Sequence, residues 1–452
     1  WVYKVKPATE LEPTRYRSRL CVLGNRQKPD SYGETFAAVG KVKMFRMLLT
    51  LCVHYGLKMT QLDVNNAFMN APLDRDIYIH PPPGYEKLGP LKLNRSLYGL
   101  KQAPRLWYET MRAAMKELGY VQLQTDVCCF AHPTERCYVL MYVDDICIAT
   151  ASSKLRKQLL AHLEKKFKLQ HFPEAQRYVG LQLKWSQDGA RVKVYQQSYI
   201  EKMLDLFGMS ESKSDTVPTD SGVKLSKCDV KEQERPYRQL VGSLLYALGS
   251  RPDVASAVRV VSQFVQWGAT KHWYAAKKIL RYLKGTKSKG VVYSKEDEYI
   301  ISAYCDSDYA SEEDRKSISG YVIYAQGGPV IWRSKKQPTV ALSSCEAEYV
   351  ALSEVVKELL WMSMSLKELR VDRHPTIKIF IDNQAAKRLA ENSVNHERSK
   401  HIDTRYHFLR QVVESKFVQL YYIDTKKNVS DLLTKATSRA TFGRLVDKLV
   451  SE

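Results

Sequence analysis

The sequence predicts a multidomain α/β (α+β) protein: a mixed α/β region over residues 1–190, a helical unit over 191–295 and a second α/β domain over 296–452. Three observations lead there. At 452 residues the chain exceeds what one hydrophobic core usually serves, and its 44% hydrophobic content can fill several. Short apolar runs of strand character alternate with helical-period runs at both ends of the chain. Between those ends the pattern is helical alone.

In the first region "MTQLDV" (59–64) and "CYVLMYVDDICIA" (137–149) read as strands, with the helical run "LWYETMRAAMKELGY" (106–120) between them. The stretch "RYVGLQLKWSQDGARVKVYQ" (177–196) reads as a hairpin closed at Asp188-Gly189. From Ser198 to Gly285 four helical runs follow, separated by Gly, Pro and Asp punctuation: "YIEKMLDLFGM", "YRQLVGSLLYALGS", "DVASAVRVVSQFVQWG" and "KHWYAAKKILRYLKG". "SDTVPTDSGVKLSKCDVKEQERP" (214–236) is expected to be a loop. Then "IISAYCDSDYA", "SGYVIYAQGGPVIWRS", "EAEYVALSEVVKELLWM" and "IKIFIDNQAAKRLA" predict strand, hairpin, helix, strand and helix, a second α/β domain.

Charge narrows the partner. With 70 Lys and Arg against 49 Asp and Glu, the net charge of +21 suits a polyanion held by counterion release, so nucleic acid is the leading partner. No apolar run approaches the roughly 18 residues of a membrane span, so no membrane is expected. Nine scattered cysteines form no CxxC pair and suit a reducing compartment without zinc. A start at Trp1 fits a processed piece of a longer chain.

The chemistry sits in carboxylates. "YVDDICIAT" (142–150) puts Asp144 and Asp145 side by side inside an apparent strand, where unpaired charge costs several kcal/mol or more unless a cation neutralises it. Asp63 ends a second strand-like run. Three carboxylates from two strands form the pattern that holds a pair of Mg²⁺ ions ~4 Å apart for phosphoryl transfer.

"YVDD" after "LDVNNAF", with "SLYGLKQAPRLWY" between, closely resembles the reverse transcriptase of copia-type LTR retrotransposons, from "RYRSRLCVLG" to "VSDLLTK". The resemblance implies a right-hand polymerase of fingers and palm (1–190) and helical thumb (191–295), followed by an RNase H-like domain (296–452). It makes Asp63, Asp144 and Asp145 the polymerase metal ligands, helped by the Val64 carbonyl, and Phe68 the aromatic under the sugar that excludes a ribose 2′-OH. It places Gly99, Lys101 and Gln102 behind the templating pair and incoming nucleotide. It also makes Tyr178, Val179, Gly180 and Leu181 a primer grip. Arg17 and Arg19 are both candidates for the triphosphate, since guanidinium forks suit phosphate oxygens. "NNAFMN" departs from the commoner "KTAFLHG", with the Asp-to-Phe spacing kept.

The last region again places acids at element ends: Asp306, Glu348, Asp382 and Asp431. Helical spacing puts Glu348, and not Glu346, on the face of Leu352, Val355 and Leu359. Period two leaves Asp306 and Asp308 on one side of a strand, and resemblance to RNase H favours Asp306. That resemblance implies two Mg²⁺ or Mn²⁺ ions in each site, water attack on the RNA strand of a hybrid, and a histidine before Asp431 that "YIDTKKNVSD" lacks. His396, His401 and His407 have no tight ligand spacing and read as part of a basic, nucleic-acid-facing helix.

Residues 271–290 hold seven Lys or Arg and no acid, with Trp273, Ala276, Leu280 and Leu283 as an apolar stripe, which predicts a thumb helix tracking a duplex. The implied partners are an RNA template, a DNA primer and product, the RNA-DNA hybrid, dNTPs and a tRNA or other RNA primer, in cytoplasmic virus-like particles. Pairing into a homodimer is left open. The alternative is a domesticated or decayed retroelement protein that serves as a nucleic-acid-binding scaffold.

Overall fold

The computed structural model describes residues 1–6, 14–223, 225–227, 235–371, 377–391 and 403–452. The chain compacts into two units, one of Trp1–Met44 with Lys58–Ala175, the other of Phe45–Leu57 with Gln176–Glu452.

The first unit is built on a six-stranded antiparallel sheet. Its strands lie in the order Leu169–Phe172, Lys58–Val64, Asp145–Thr150, Cys137–Tyr142, Cys129–Ala131, Val121–Gln122. Helix Ala103–Glu117 buries Trp107, Met111, Ala114 and Met115, and helix Ser153–Lys166 buries Leu155, Leu159 and Leu163. This i, i+4 spacing gives each helix one apolar stripe, and both stripes join Leu62, Val139, Ile146 and Ile148 of the sheet in one core. The second helix starts where the Ser152 hydroxyl accepts the Leu155 N–H at 3.3 Å.

One expectation is corrected. The run 137–149 is two strands, Cys137–Tyr142 and Asp145–Thr150, which pair with each other around a tight turn at Val143-Asp144. The apolar residues on either side of the two aspartates belong to different strands, so period counting along the chain joined what the turn separates.

The second unit holds the hairpin expected at Asp188-Gly189, between Leu181–Trp185 and Arg191–Tyr195. It lies in a four-stranded sheet completed by Arg177–Tyr178 and Val291–Ser294. The four helical runs form helices Gln197–Leu206, Tyr237–Ala247, Ala255–Ser262 and Thr270–Gly285. Residues 224 and 228–234 of the expected loop lie outside the described residues. A five-stranded sheet follows in the order Gly328–Lys336, Ile318–Ala325, Ile301–Asp308, Ile377–Ile381, Val418–Tyr422, the first three antiparallel and the last two added in parallel. Helix Ser344–Glu368 packs on it with Leu352, Val355 and Leu359 buried.

Helical run and C-terminal sheet share one core, where the sequence suggested two domains. Helix Arg439–Val446, beyond the last strand, packs Phe442, Leu445 and Val446 against these four helices, and Phe442 meets the Tyr282 ring edge-on at 5.5 Å. The basic helix also departs from expectation. Lys278 pairs with Asp215 and Asp220 at 2.8 Å each, Lys287 with Glu201 at 2.8 Å, and Lys289 with Asp447 at 2.9 Å. The acids missing from the local sequence arrive from elsewhere in the chain. Phe442→Ala should lower stability by about 3–5 kcal/mol, read as an earlier urea midpoint. A cost below ~1 kcal/mol would place the C-terminal helix outside this core.

Candidate active sites

Asp63 and Asp145 stand directly opposite one another on neighbouring antiparallel strands. Cross-strand like charges destabilise a sheet, so this register favours a cation between them. Asp144 is exposed at the turn, and Asp63 and Asp145 are half-buried. Val143, in front of Asp144, has φ 57°, a left-handed conformation that a β-branched residue adopts only under constraint. Two hydrogen bonds impose it: the Trp107 indole N–H donates to the Val143 carbonyl at 2.7 Å, and the Val64 N–H donates to the Asp144 carbonyl at 3.0 Å. Gln61 donates its amide to Asp145 Oδ1 at 3.3 Å.

Beside these acids, Tyr98 links several of the sequence candidates. Burial, with the fields of Asp144 and Asp63, raises its hydroxyl pKa against the opposing pull of Arg19. The Arg19 guanidinium lies 5.3 Å from the Tyr98 ring centre, and Phe68 meets that ring edge-on at 5.0 Å. Arg17 lies on the same strand, Arg15–Arg19, and its side chain is outside the described residues. Gly99 has φ 95°, and a Cβ there would lie 1.9 Å from the Val22 carbonyl oxygen, so only glycine fits. Lys101 donates to the Tyr32 hydroxyl at 2.8 Å. Gln102 is buried, donating to the Ser31 carbonyl at 3.3 Å and accepting from Gln27 at 2.9 Å. Both side chains brace residues 27–32 against the start of helix Ala103–Glu117.

In the second unit Tyr178, Val179, Gly180 and Leu181 form a two-residue hairpin turn, where the sequence suggested an ordinary strand. Val179 has φ 48° and Gly180 φ 75°. The Tyr246 hydroxyl donates to the Val179 carbonyl at 2.9 Å and sits where any Gly180 side chain would go. Tyr178 and Leu181 are buried beneath the turn, which leaves the Val179-Gly180 backbone presented.

The second acid group is tighter. Asp306 lies on the central strand, Glu348 in the first turns of helix Ser344–Glu368, and Asp382 just past strand Ile377–Ile381. One carboxylate oxygen from each lies within 4.8 Å of the others, and among the described residues this is the only such group of three or more acidic, Cys or His ligands. The Asp63, Asp144 and Asp145 carboxylates do not reach that spacing. Glu348 is 7% exposed and its Oε2 has no hydrogen-bond partner, which leaves a buried carboxyl oxygen open to a ligand. Glu346 turns back instead toward the segment before the helix, accepting the Leu342 N–H at 2.8 Å, while the Ser343 hydroxyl caps the helix by accepting the Glu346 N–H at 3.1 Å. Asp308 lies two residues along the strand, half-buried and outside the triad.

Asp431 opens the short helix Asp431–Thr434 and is held by Lys435, whose Nζ lies 3.1 Å from Asp431 Oδ1 and 3.8 Å from Asp306 Oδ2. Thr434 donates to Asp306 Oδ2. In the histidine-free loop before Asp431, Asn428 is buried and donates to the Cys305 carbonyl at 3.1 Å. His396 and His401 lie outside the described residues, and His407 is exposed on helix Asp403–Glu414. Sequence reasoning missed Tyr98, Trp107, Thr434 and Lys435. The indole N–H in "SLYGLKQAPRLWY", which needs a partner when buried, could have pointed to Trp107. The others depend on three-dimensional approach.

Burial first and neighbouring acids second raise the carboxyl pKa values of Glu348, Asp382 and Asp431, the last to about 7. A folded-state pKa above the unfolded one stabilises the protein at low pH, and that contribution is lost as pH rises through the folded value. In chelator, the melting temperature should therefore fall between about pH 5 and pH 8, and Asp431→Asn should flatten the slope. A melting temperature that climbs over this range would contradict the burial of these acids.

A family model for reverse transcriptase (RNA-dependent DNA polymerase) matches residues 1–221. The retrovirus-related Pol polyprotein from transposon TNT 1-94 of Nicotiana tabacum is 38% identical over 98% of this chain and 34% of its own length. That from transposon RE1 of Arabidopsis thaliana is 36% identical over 99% of this chain and 31% of its own length. The chain thus spans about a third of these polyproteins. The putative transposon Ty5-1 protein of Saccharomyces cerevisiae is covered completely, at 30% identity across 66% of this chain. Among solved structures, the foamy viral protease-reverse transcriptase in complex with RNA/DNA hybrid covers 83% of this chain and 45% of its own, at 12% identity and a TM-score of 0.46. LC11-RNase H1 covers 33% of this chain and 98% of its own, at 16% identity and a TM-score of 0.25. By sequence, the chain belongs to the reverse transcriptase family carried on the Pol polyproteins of Ty1/copia-type retrotransposons.

Proposed function

We propose that this chain copies RNA, and then DNA, into DNA at the Asp63, Asp144 and Asp145 site and cleaves the RNA of the resulting hybrid at the Asp306, Glu348, Asp382 and Asp431 site. The observation that carries the reading is the presence in one chain of two separate acid groups, one on paired antiparallel strands and one on a mixed sheet. Family membership supports it. The division into fingers and palm (1–190), thumb (191–295) and RNase H domain (296–452) belongs to the same proposal, with thumb and nuclease sharing a core.

The residues fit Mg²⁺ or Mn²⁺: Asp63 and Asp145 in like-charge register with Asp144 and the Val64 backbone beside them, and the orphaned Glu348 oxygen with Asp306, Asp382 and Asp431. Bound there, such ions activate the attacking oxygen and stabilise the leaving one. The chain's own groups do the rest. Arg19, beside Tyr98, offers its guanidinium to the triphosphate. Phe68, against the same ring, meets the sugar and rejects a 2′-OH. Trp107 keeps the aspartate turn in its strained form. The Val179-Gly180 turn, braced by Tyr246, holds the primer end.

The substrates are an RNA template, a DNA primer and product, dNTPs and the hybrid, with a tRNA or other RNA priming the first strand. Cytoplasmic virus-like particles are the setting, and a homodimer is open to test. No helix among the described residues is long and apolar enough to cross a membrane.

Extension of a DNA primer on a labelled RNA template reads both activities. Asp144→Asn or Asp145→Asn should lower extension by more than ~100-fold and spare hybrid cleavage, while Asp306→Asn or Asp382→Asn should do the reverse. Loss of both activities from either change in a folded protein would dismiss the two-site division. Phe68→Ala should raise ribonucleotide incorporation relative to deoxyribonucleotide by roughly 10–100-fold. An unchanged ratio would remove Phe68 from sugar selection.

A further inference from the structure

The nuclease acids divide unevenly. Asp306, Glu348 and Asp382 converge to within 4.8 Å and form one cation pocket by themselves. Asp431 does not belong to that triad. Its Oδ1 is engaged by the Lys435 ammonium at 3.1 Å, and the same ammonium lies 3.8 Å from Asp306 Oδ2. Asp306 is therefore shared: it contributes to the triad and also faces Lys435. A two-ion nuclease needs its second ion next to the first, and Asp306 and Asp431, the carboxylates within ion-pair distance of Lys435, are placed to hold it. Lys435 stands between those two.

Several features make this position more than a surface ion pair. Asp306 and Asp431 are 3% and 5% exposed, so their charges are poorly served by water and need a cation. Lys435 directly follows the short helix Asp431–Thr434, and its N–H donates to the Asp431 carbonyl at 3.2 Å, which anchors its backbone beside the acids. Its side chain is 39% exposed, so the ammonium can swing into solvent without disturbing the core. A lysine carries one charge where a divalent ion carries two, and gives up its place more readily than a buried arginine fork would.

Building on the nuclease reading above, we propose that Lys435 is a built-in counter-cation that occupies the second ion position of this site in the free protein, so that filling that position requires displacing Lys435. The free protein then holds one divalent ion tightly, in the Asp306, Glu348 and Asp382 pocket. The second enters only as Lys435 leaves Asp306 and Asp431. Lys435 is a positioning residue: it acts on the acids and the ion they receive.

The test is Mn²⁺ titration of the full chain in an Asp144→Asn/Asp145→Asn background, with free Mn²⁺ counted by electron paramagnetic resonance. With Lys435 intact, one tight ion is expected. Lys435→Met should bring a second, its affinity raised by roughly 10–100-fold. Lys435→Arg, which keeps the charge, should behave as the parent. Lys435→Gln serves as the neutral variant should the methionine protein fail to fold. Unchanged or weaker Mn²⁺ binding in a folded neutral variant overturns the proposal. Failure of the underlying reading looks different: Asp306→Asn/Asp382→Asn would then leave the parent isotherm unaltered, because the acids would hold no ion at all.

Discussion

The rest of this structure depends on the cost of holding carboxylates close together in places water serves poorly. Each acid group is assembled by backbone elements that would exist without it. A pair of antiparallel strands sets Asp63 against Asp145, and a sheet with one crossing helix collects Asp306, Glu348 and Asp382. The folding energy comes from the apolar stripes beneath, such as Leu155, Leu159 and Leu163 in one unit and Leu352, Val355 and Leu359 in the other. The charges are carried by that scaffold at a local loss that a cation recovers. Orphaned Glu348 Oε2 and the reach of Lys435 toward Asp306 and Asp431 are both expressions of this unbalanced negative charge.

Two valines at the candidate sites hold strained backbone. Val143 and Val179 both have positive φ, a conformation costing of order 1–3 kcal/mol in a residue other than glycine. Each is clamped by one aromatic donor to its carbonyl, Trp107 in the first case and Tyr246 in the second. The arrangement repeats a single device. A tight turn presents backbone and short side chains at its tip, and a large ring fixes the turn by one hydrogen bond, Trp107 from the core and Tyr246 from an exposed position.

Net charge needs a similar reading at two scales. The overall +21 stands as an attraction toward polyanions. Individual basic residues are another matter, because Lys278, Lys287 and Lys289 each find an acid remote in sequence. A run of Lys and Arg without nearby acids therefore identifies a basic helix, and leaves open which of its charges face solvent.

Periodicity and motif residues by themselves indicated most elements, the three acids Asp306, Glu348 and Asp382 that the fold brings together, and the choice of Glu348 over Glu346, because helical spacing is a local property that survives in one dimension. Likewise, Asp63 and Asp144-Asp145 were legible from strand ends and apolar flanks. Other features were decided by the tertiary structure. The Val143-Asp144 turn breaks what reads as one strand, since apolar residues look alike whether a chain continues or doubles back. The Phe442 helix joins a core more than a hundred residues earlier in the chain, which no local pattern records. Gln102 spends its amide on Gln27 and Ser31, and Lys435 reaches Asp306 across 129 positions of sequence. Contacts of that kind arise only when separate elements pack, so one-dimensional spacing carries no trace of them.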